Sequence, residues 1–141
     1  MTKSGTLRMT LGVFATAALL VTSGVLSAGA ASGPKLTVTP SVNLKNGETV
    51  KVTGSGFKKG DFVYVVECLV GAKGGAQCNE LGATPATITS KGVLPLTKFK
   101  VMTGSIGGGV CGTKPSNLKK CDVSVGNAQG TDSAVFPIVF K

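Results

Sequence analysis

The sequence contains no histidine, no tryptophan and a single tyrosine. Without histidine there can be no Ser-His-Asp or Cys-His nucleophile and no His-ligated zinc, because no other side chain titrates near neutrality at its ordinary pKa. Charged residues are sparse, 15% against a usual share of about 25%, and aromatics make up 5%. Beyond residue 30 arginine is absent altogether. That removes the bidentate side chain used for reading base edges, and one tyrosine makes no stacking platform for single strands. What is abundant instead is 21 glycines, with 6 prolines and many Val and Thr, the composition of a turn-rich β protein. With 42% hydrophobic residues over 141 positions, the chain is globular and holds one domain of ordinary size.

The first thirty residues stand apart. Lys3 and Arg8 precede an almost uncharged apolar run from Met9 to Leu26, and Ala28-Gly29-Ala30 offers the small residues that signal peptidase accepts. A secretory signal peptide is expected over 1–30 and a mature domain over 31–141, with an extracellular location and no membrane anchor left after cleavage. That remainder carries thirteen lysines against six acids, a net charge of +7. Only Lys58-Lys59 and Lys119-Lys120 are adjacent. Dispersed lysines read first as a hydrated surface, and second as a weak, salt-sensitive attraction to polyanions such as DNA or an anionic envelope.

Four cysteines in an exported chain of this size point to two disulfides. Cys68, Cys78, Cys111 and Cys121 form two groups with the same ten-residue separation, and the close C-x-x-C knuckles of a four-Cys zinc site are missing. Three connectivities are open on counting alone. Local pairing is favoured by the loops Gly71 to Ala76 and Gly112 to Asn117, whose Gly and Pro content allows the chain to turn back.

No helical period of useful length is present, whereas short alternating segments recur. Strands are expected at Leu36 to Thr39, Thr49 to Thr53, Phe62 to Cys68, Ala83 to Thr89, Val93 to Val101, Cys121 to Gly126 and Ala134 to Phe140. Asn46-Gly47 and Lys59-Gly60-Asp61 mark turns, and Ser90-Lys91-Gly92 reads as a hairpin turn. Gly54, Gly56 and Gly60 form a G-x-G-x-x-x-G stretch, but no helix follows to present an anion-binding N-terminus, so it reads as a turn. In the third strand Phe62, Tyr64, Val66 and Cys68 alternate with Val63 and Val65, so both faces are apolar. One face belongs to the core. The other needs a cover, either a loop or a bound ligand. About seven short strands in 111 residues is a β-sandwich count.

Taken in order, Thr37-Val38-Thr39-Pro40-Ser41, Leu44, Gly47, Val50-Lys51-Val52, Gly54, Gly56, Gly60, Cys68, Cys78-Asn79, Cys111, Cys121, Val123, Gly126 to Gly130 and the closing strand Ala134 to Phe140 resemble the neocarzinostatin family of enediyne chromoprotein apoproteins. The resemblance runs from about Pro34 to Phe140. It implies an all-β, seven-stranded immunoglobulin-like Greek-key sandwich with a small two-stranded ribbon, and it pairs Cys68 with Cys78 and Cys111 with Cys121. It further implies a monomeric, secreted apoprotein without catalytic activity, metal or tightly held cofactor. Such a protein would hold a small hydrophobic chromophore noncovalently in a cleft beside the first disulfide, with an antibiotic role and contact with DNA through the released chromophore or weakly through Lys.

Transferred position by position, the resemblance puts the cleft on Tyr64, Val66, Cys68, Val70, Cys78, Asp122, Ser124 and Gly126, with Val123 and Val125 facing the core. Val70 stands where the family has a bulky aromatic, and the family's aromatic-rich hairpin corresponds to the glycine-rich stretch Thr103 to Gly109. A secreted interaction module of the same fold that has lost the chromophore site is the alternative. A hydrolase built on Asp61, Glu67, Glu80 or Asp122 is the third reading, and the spread of these acids along the chain speaks against it, since carboxylates on a basic protein usually serve as partners of Lys.

Overall fold

The computed structural model describes residues 33–141. The expected signal peptide lies outside the described residues. Strands β1 (Lys35–Thr39), β2 (Thr49–Ser55), β3 (Phe62–Leu69), β4 (Thr84–Thr87), β5 (Val93–Lys100), β6 (Gly104–Ile106), β7 (Gly109–Cys111), β8 (Cys121–Gly126) and β9 (Ser133–Ile138) carry the fold. Three short 3-10 turns, Gly75–Gln77, Glu80–Gly82 and Pro115–Asn117, are the helical content among the described residues. β1-β2-β5 make one antiparallel sheet, β4-β3-β8-β9 a second, and β6-β7 a separate two-stranded ribbon. The fold is thus an all-β sandwich with two disulfides, as expected, Cys68 with Cys78 and Cys111 with Cys121.

Strand alternation sets the layers. Leu36 and Val38 on β1, Val50 and Val52 on β2, and Phe99 on β5 face Val63 and Val65 on β3, Val123 and Val125 on β8, and Ala134 and Ile138 on β9. Each buried aliphatic side chain of this kind contributes roughly 1.5–3 kcal/mol over its exposed state. Because the period is two, the same alternation commits Tyr64, Val66, Ser124 and Val135 to the opposite, outer side of the four-stranded sheet. The core therefore decides which residues the outer surface displays.

One turn differs from expectation. Ser90-Lys91-Gly92 does turn the chain, with the Gly92 N–H donating to the Thr89 carbonyl (2.9 Å), but the strands on either side do not form a hairpin, because β4 joins β3 while β5 joins β2. The segment is a crossover between the layers. It is held to the first layer by Phe57, whose N–H donates to the Gly92 carbonyl (3.2 Å), and to the second by Ile88, bonded to Asp61 and Gly60. The sequence signal of a turn is local and carries no information about which sheet receives the next strand. Gly92 has φ +75, and a Cβ there would lie 2.7 Å from the Phe57 carbonyl oxygen. Gly92→Ala is therefore expected to lower stability by about 2 kcal/mol, read from the urea midpoint, through backbone strain and steric conflict together.

Candidate functional site

The outer side of the four-stranded sheet is concave. Cross-strand register places Val66 opposite Ser124 and Ser124 opposite Val135, and the neighbouring row runs Tyr64, Gly126, Ser133. These two rows floor a cavity of about 620 Å³. One wall is the first disulfide and its loop, contributing Cys68, Cys78, Ala72, Lys73, Gly74 and Gly75; the other is Asn127 and Ala128 after β8, and Glu80 and Ala83 close the end nearest the second 3-10 turn. Glycine and alanine at so many lining positions keep the cleft wide. A Cβ on Gly126 would already reach ordinary contact with Ser133.

The walls are fixed by polar contacts. Asn79 donates its N–H to the Glu67 carbonyl (2.7 Å), pinning the disulfide loop where it returns to β3. Lys73 donates its N–H to the Gln77 side chain (2.8 Å) within that loop. On the far side Asn127 donates from Nδ2 to Asp61 (2.9 Å) and to Thr131 (3.0 Å), and the buried Asp132 carboxylate accepts the Lys58 N–H (2.8 Å). The cleft is thus a preformed recess. Tyr64 is 41% exposed at its floor and is the only aromatic among the described residues lining it; its ring meets Phe62 edge-on at 5.2 Å, the favourable T-shaped arrangement.

Of the residues transferred from the family pattern, Tyr64, Val66, Cys68, Cys78, Ser124 and Gly126 line this cavity. Val70 and Asp122 stand outside it. Val70 follows the end of β3, its N–H donates to the Lys120 carbonyl (2.9 Å), and its side chain is 54% exposed. Asp122 sits between Cys68 and Pro137 in the ladder, beyond the end of the recess, and is only 7% exposed. Burial pushes its carboxyl above the usual range. Lys73, Asn127, Ala128 and Val135 line the recess outside the family pattern. Val135 had a legible signal, since it alternates with the core residue Ala134; the others sit on loops, where sequence carries no facing rule.

The remaining acids take separate places. Asp61 holds Asn127 and lies 3.8 Å from Lys58, Glu80 is at the exposed end of the cleft, and Glu67 is inside the core. The expectation for Glu67 is an ion-pair partner of Lys. In the structure it is fully buried on the core side of β3; Oε2 accepts the Met102 N–H (2.8 Å) and Oε1 has no partner among the described residues. One carboxylate oxygen and the sulfurs of Cys111 and Cys121 lie within 4.8 Å of one another. Burial pushes the carboxyl up to about 7, against the opposing pull of the Met102 hydrogen bond.

With this geometry in place, comparison with known proteins gives a consistent picture. The model of the neocarzinostatin family matches residues 36–140. Macromomycin from Streptomyces macromomyceticus is 28% identical over 106 residues, covering 72% of this chain and 73% of that protein. Among solved structures, macromomycin superposes with a TM-score of 0.59 at 30% identity, over 77% of this chain and all of that one. The solution structure of apokedarcidin gives 0.53 at 26% identity, over 78% of this chain and all of its own.

Proposed function

The chain belongs to the neocarzinostatin family, and from that premise we propose that its mature domain is an exported carrier apoprotein. It holds a small hydrophobic, chemically reactive chromophore of the enediyne kind noncovalently in the cleft and shields it from water and thiols. The observation that carries this is the recess of about 620 Å³ on the outer sheet face, floored by Tyr64, Val66, Ser124 and Val135 and walled by the Cys68–Cys78 loop. That volume suits a drug-sized ligand, and a mostly apolar lining with a few polar groups is the usual character of such sites. Catalysis has no part in the proposal; the antibiotic role and any damage to DNA belong to the chromophore once released.

Native mass spectrometry of the mature protein from its producing host, set beside protein refolded from a clean source, tests the carrier role. A mass excess in the host sample alone, lost on organic extraction and absorbing in the near ultraviolet, is expected; equal masses overturn it. Ser124→Trp should abolish that mass excess by filling the floor while changing stability by less than about 1 kcal/mol, since the site is half-buried and outside the core. Tryptophan is otherwise absent, so its emission reports directly on whether the cleft is occupied.

A second reading is favoured by one specific observation. Tyr64 is the single aromatic among the described residues of the lining, which leaves little for a planar chromophore to stack upon, at about 1 kcal/mol per aromatic contact. On that reading the domain is a secreted interaction module, and the host protein carries no extra mass.

A further inference from the structure

The opposite side of the sandwich has a chemistry of its own. On the outer face of the β1-β2-β5 sheet the exposed alternating positions are Lys35, Thr37 and Thr39 on β1, Thr49 and Lys51 on β2, and Lys98 and Lys100 on β5. The register sets Lys51 directly opposite Lys98, with Lys100 in the adjoining row opposite Thr49. Like charges facing each other across a ladder, their Cβ atoms about 5 Å apart, are destabilising. No acid on these strands relieves them. Glu48, next to β2, turns its carboxylate to the Lys45 N–H (2.9 Å), and among the described residues the one ion pair is Lys58 with Asp61, elsewhere. A repulsive lysine pair on a face made of Lys and Thr, with Leu96 at its border, is complementary to an external row of negative charge.

We propose that this face is a docking surface for a linear phosphodiester polymer of the cell envelope. Ammonium and hydroxyl groups are donors suited to phosphate oxygens, and Lys98 and Lys100, two residues apart on one strand, stand about 7 Å from each other, a spacing comparable to that of successive phosphates in such polymers. The absence of arginine and of aromatics on the face removes base readout and single-strand stacking. The apolar exposed residues of β5 lie at the border of the cluster, Leu96 next outward from Lys98 and Val93 in the row of Ser55 and Lys35, and none falls among Lys51, Lys98 and Lys100. An exported chain meets envelope polymers first. The choice of polymer rests on the export reading; the surface itself is independent of what the cleft holds.

The test uses the mature chain, residues 31–141, with purified glycerol-phosphate polymer, duplex DNA and phosphatidylglycerol vesicles at equal phosphate. Lys51→Thr/Lys98→Thr/Lys100→Thr is compared with Lys58→Thr/Lys59→Thr/Lys119→Thr, which removes the same charge from other places. The first variant is expected to lose about tenfold or more in affinity for the polymer, with the slope of log affinity on log salt reduced by about 2, while the second loses less than about threefold. Its thermal midpoint should rise, because the opposed lysines no longer repel. Equal losses in both variants, a lowered midpoint in the first, or tighter binding to DNA or vesicles than to the polymer overturns the proposal.

Discussion

Stability of the β-sandwich domain is expected to fall by about 3 kcal/mol between pH 5 and pH 8, and Glu67→Gln should flatten most of that fall. The cause is the buried carboxyl on the core side of β3, whose pKa stands at about 7 in place of 4.5. At pH values below 4.5 folded and unfolded chains both hold the proton, and the contribution is fully present. Between 4.5 and 7 the unfolded chain releases it while the folded chain keeps it, so every added pH unit costs about 1.4 kcal/mol. Above 7 the folded state ionises as well and the loss levels off. Desolvation is the larger effect, and the Met102 N–H offsets only part of it. Glutamine keeps an oxygen for Met102 and brings no charge into the core. Asp122 is displaced in the same direction, so a shallow slope should survive in the variant. Urea titrations of both proteins at unit pH intervals measure this directly, and parallel slopes in the two would show that Glu67 is not the group responsible.

The two disulfides should be unequal despite identical spacing. Each closes a loop with a sequence separation of 10, so constraint of the unfolded chain contributes about 3 kcal/mol in both cases. Any difference must come from the folded state. Cys111 and Cys121 are fully buried within the main apolar cluster, whereas Cys78 is only partly covered at the cleft wall. Cys111→Ala/Cys121→Ala is therefore expected to cost about 4–5 kcal/mol, the excess arising from sulfur volume lost beside Glu67. Cys68→Ala/Cys78→Ala should cost about 3 kcal/mol and, on the proposed carrier role, abolish the mass excess of the host protein, because the wall from Ala72 to Gly75 is then free to open. Graded reduction followed by alkylation and peptide mapping should label Cys78 before Cys111 or Cys121. The reverse order would contradict the burial difference.

Much of this architecture is legible in the chain because strand alternation is a strict rule. Val63 and Val65 against Tyr64 and Val66, or Val123 and Val125 against Ser124, assign core and cleft before any coordinates exist. The order of turns and cysteines then names the family. What escapes the sequence is relational. Lys51 and Lys98 are separated by 46 intervening residues and count as dispersed until register sets them opposite each other. Glu67 looks like any surface acid, since nothing nearby in the chain announces that Met102 will come to meet it. Asp122 follows the alternation yet falls past the end of the recess, because the length of a cleft is set by loops rather than by the strand beneath. The crossover at Gly92 escapes for a similar reason, as a turn motif fixes direction and leaves the destination open.

The first disulfide loop leaves β3 at Cys68 and is tied back at Cys78 and Asn79, both bonded to β3 itself. A segment closed on its own base is a cassette: its ends are set by one cystine and one peptide hydrogen bond, and its interior residues take no part in the core cluster. Residues 71–75 are accordingly expected to tolerate replacement while the valines behind them keep their packing, whereas Ala76 and Gln77 lie against Gly107 between β6 and β7, where no Cβ fits. A change in the shape of the recess then needs only a handful of positions that do not share the packing of the sandwich, and the same property makes the loop the natural place to graft a designed wall.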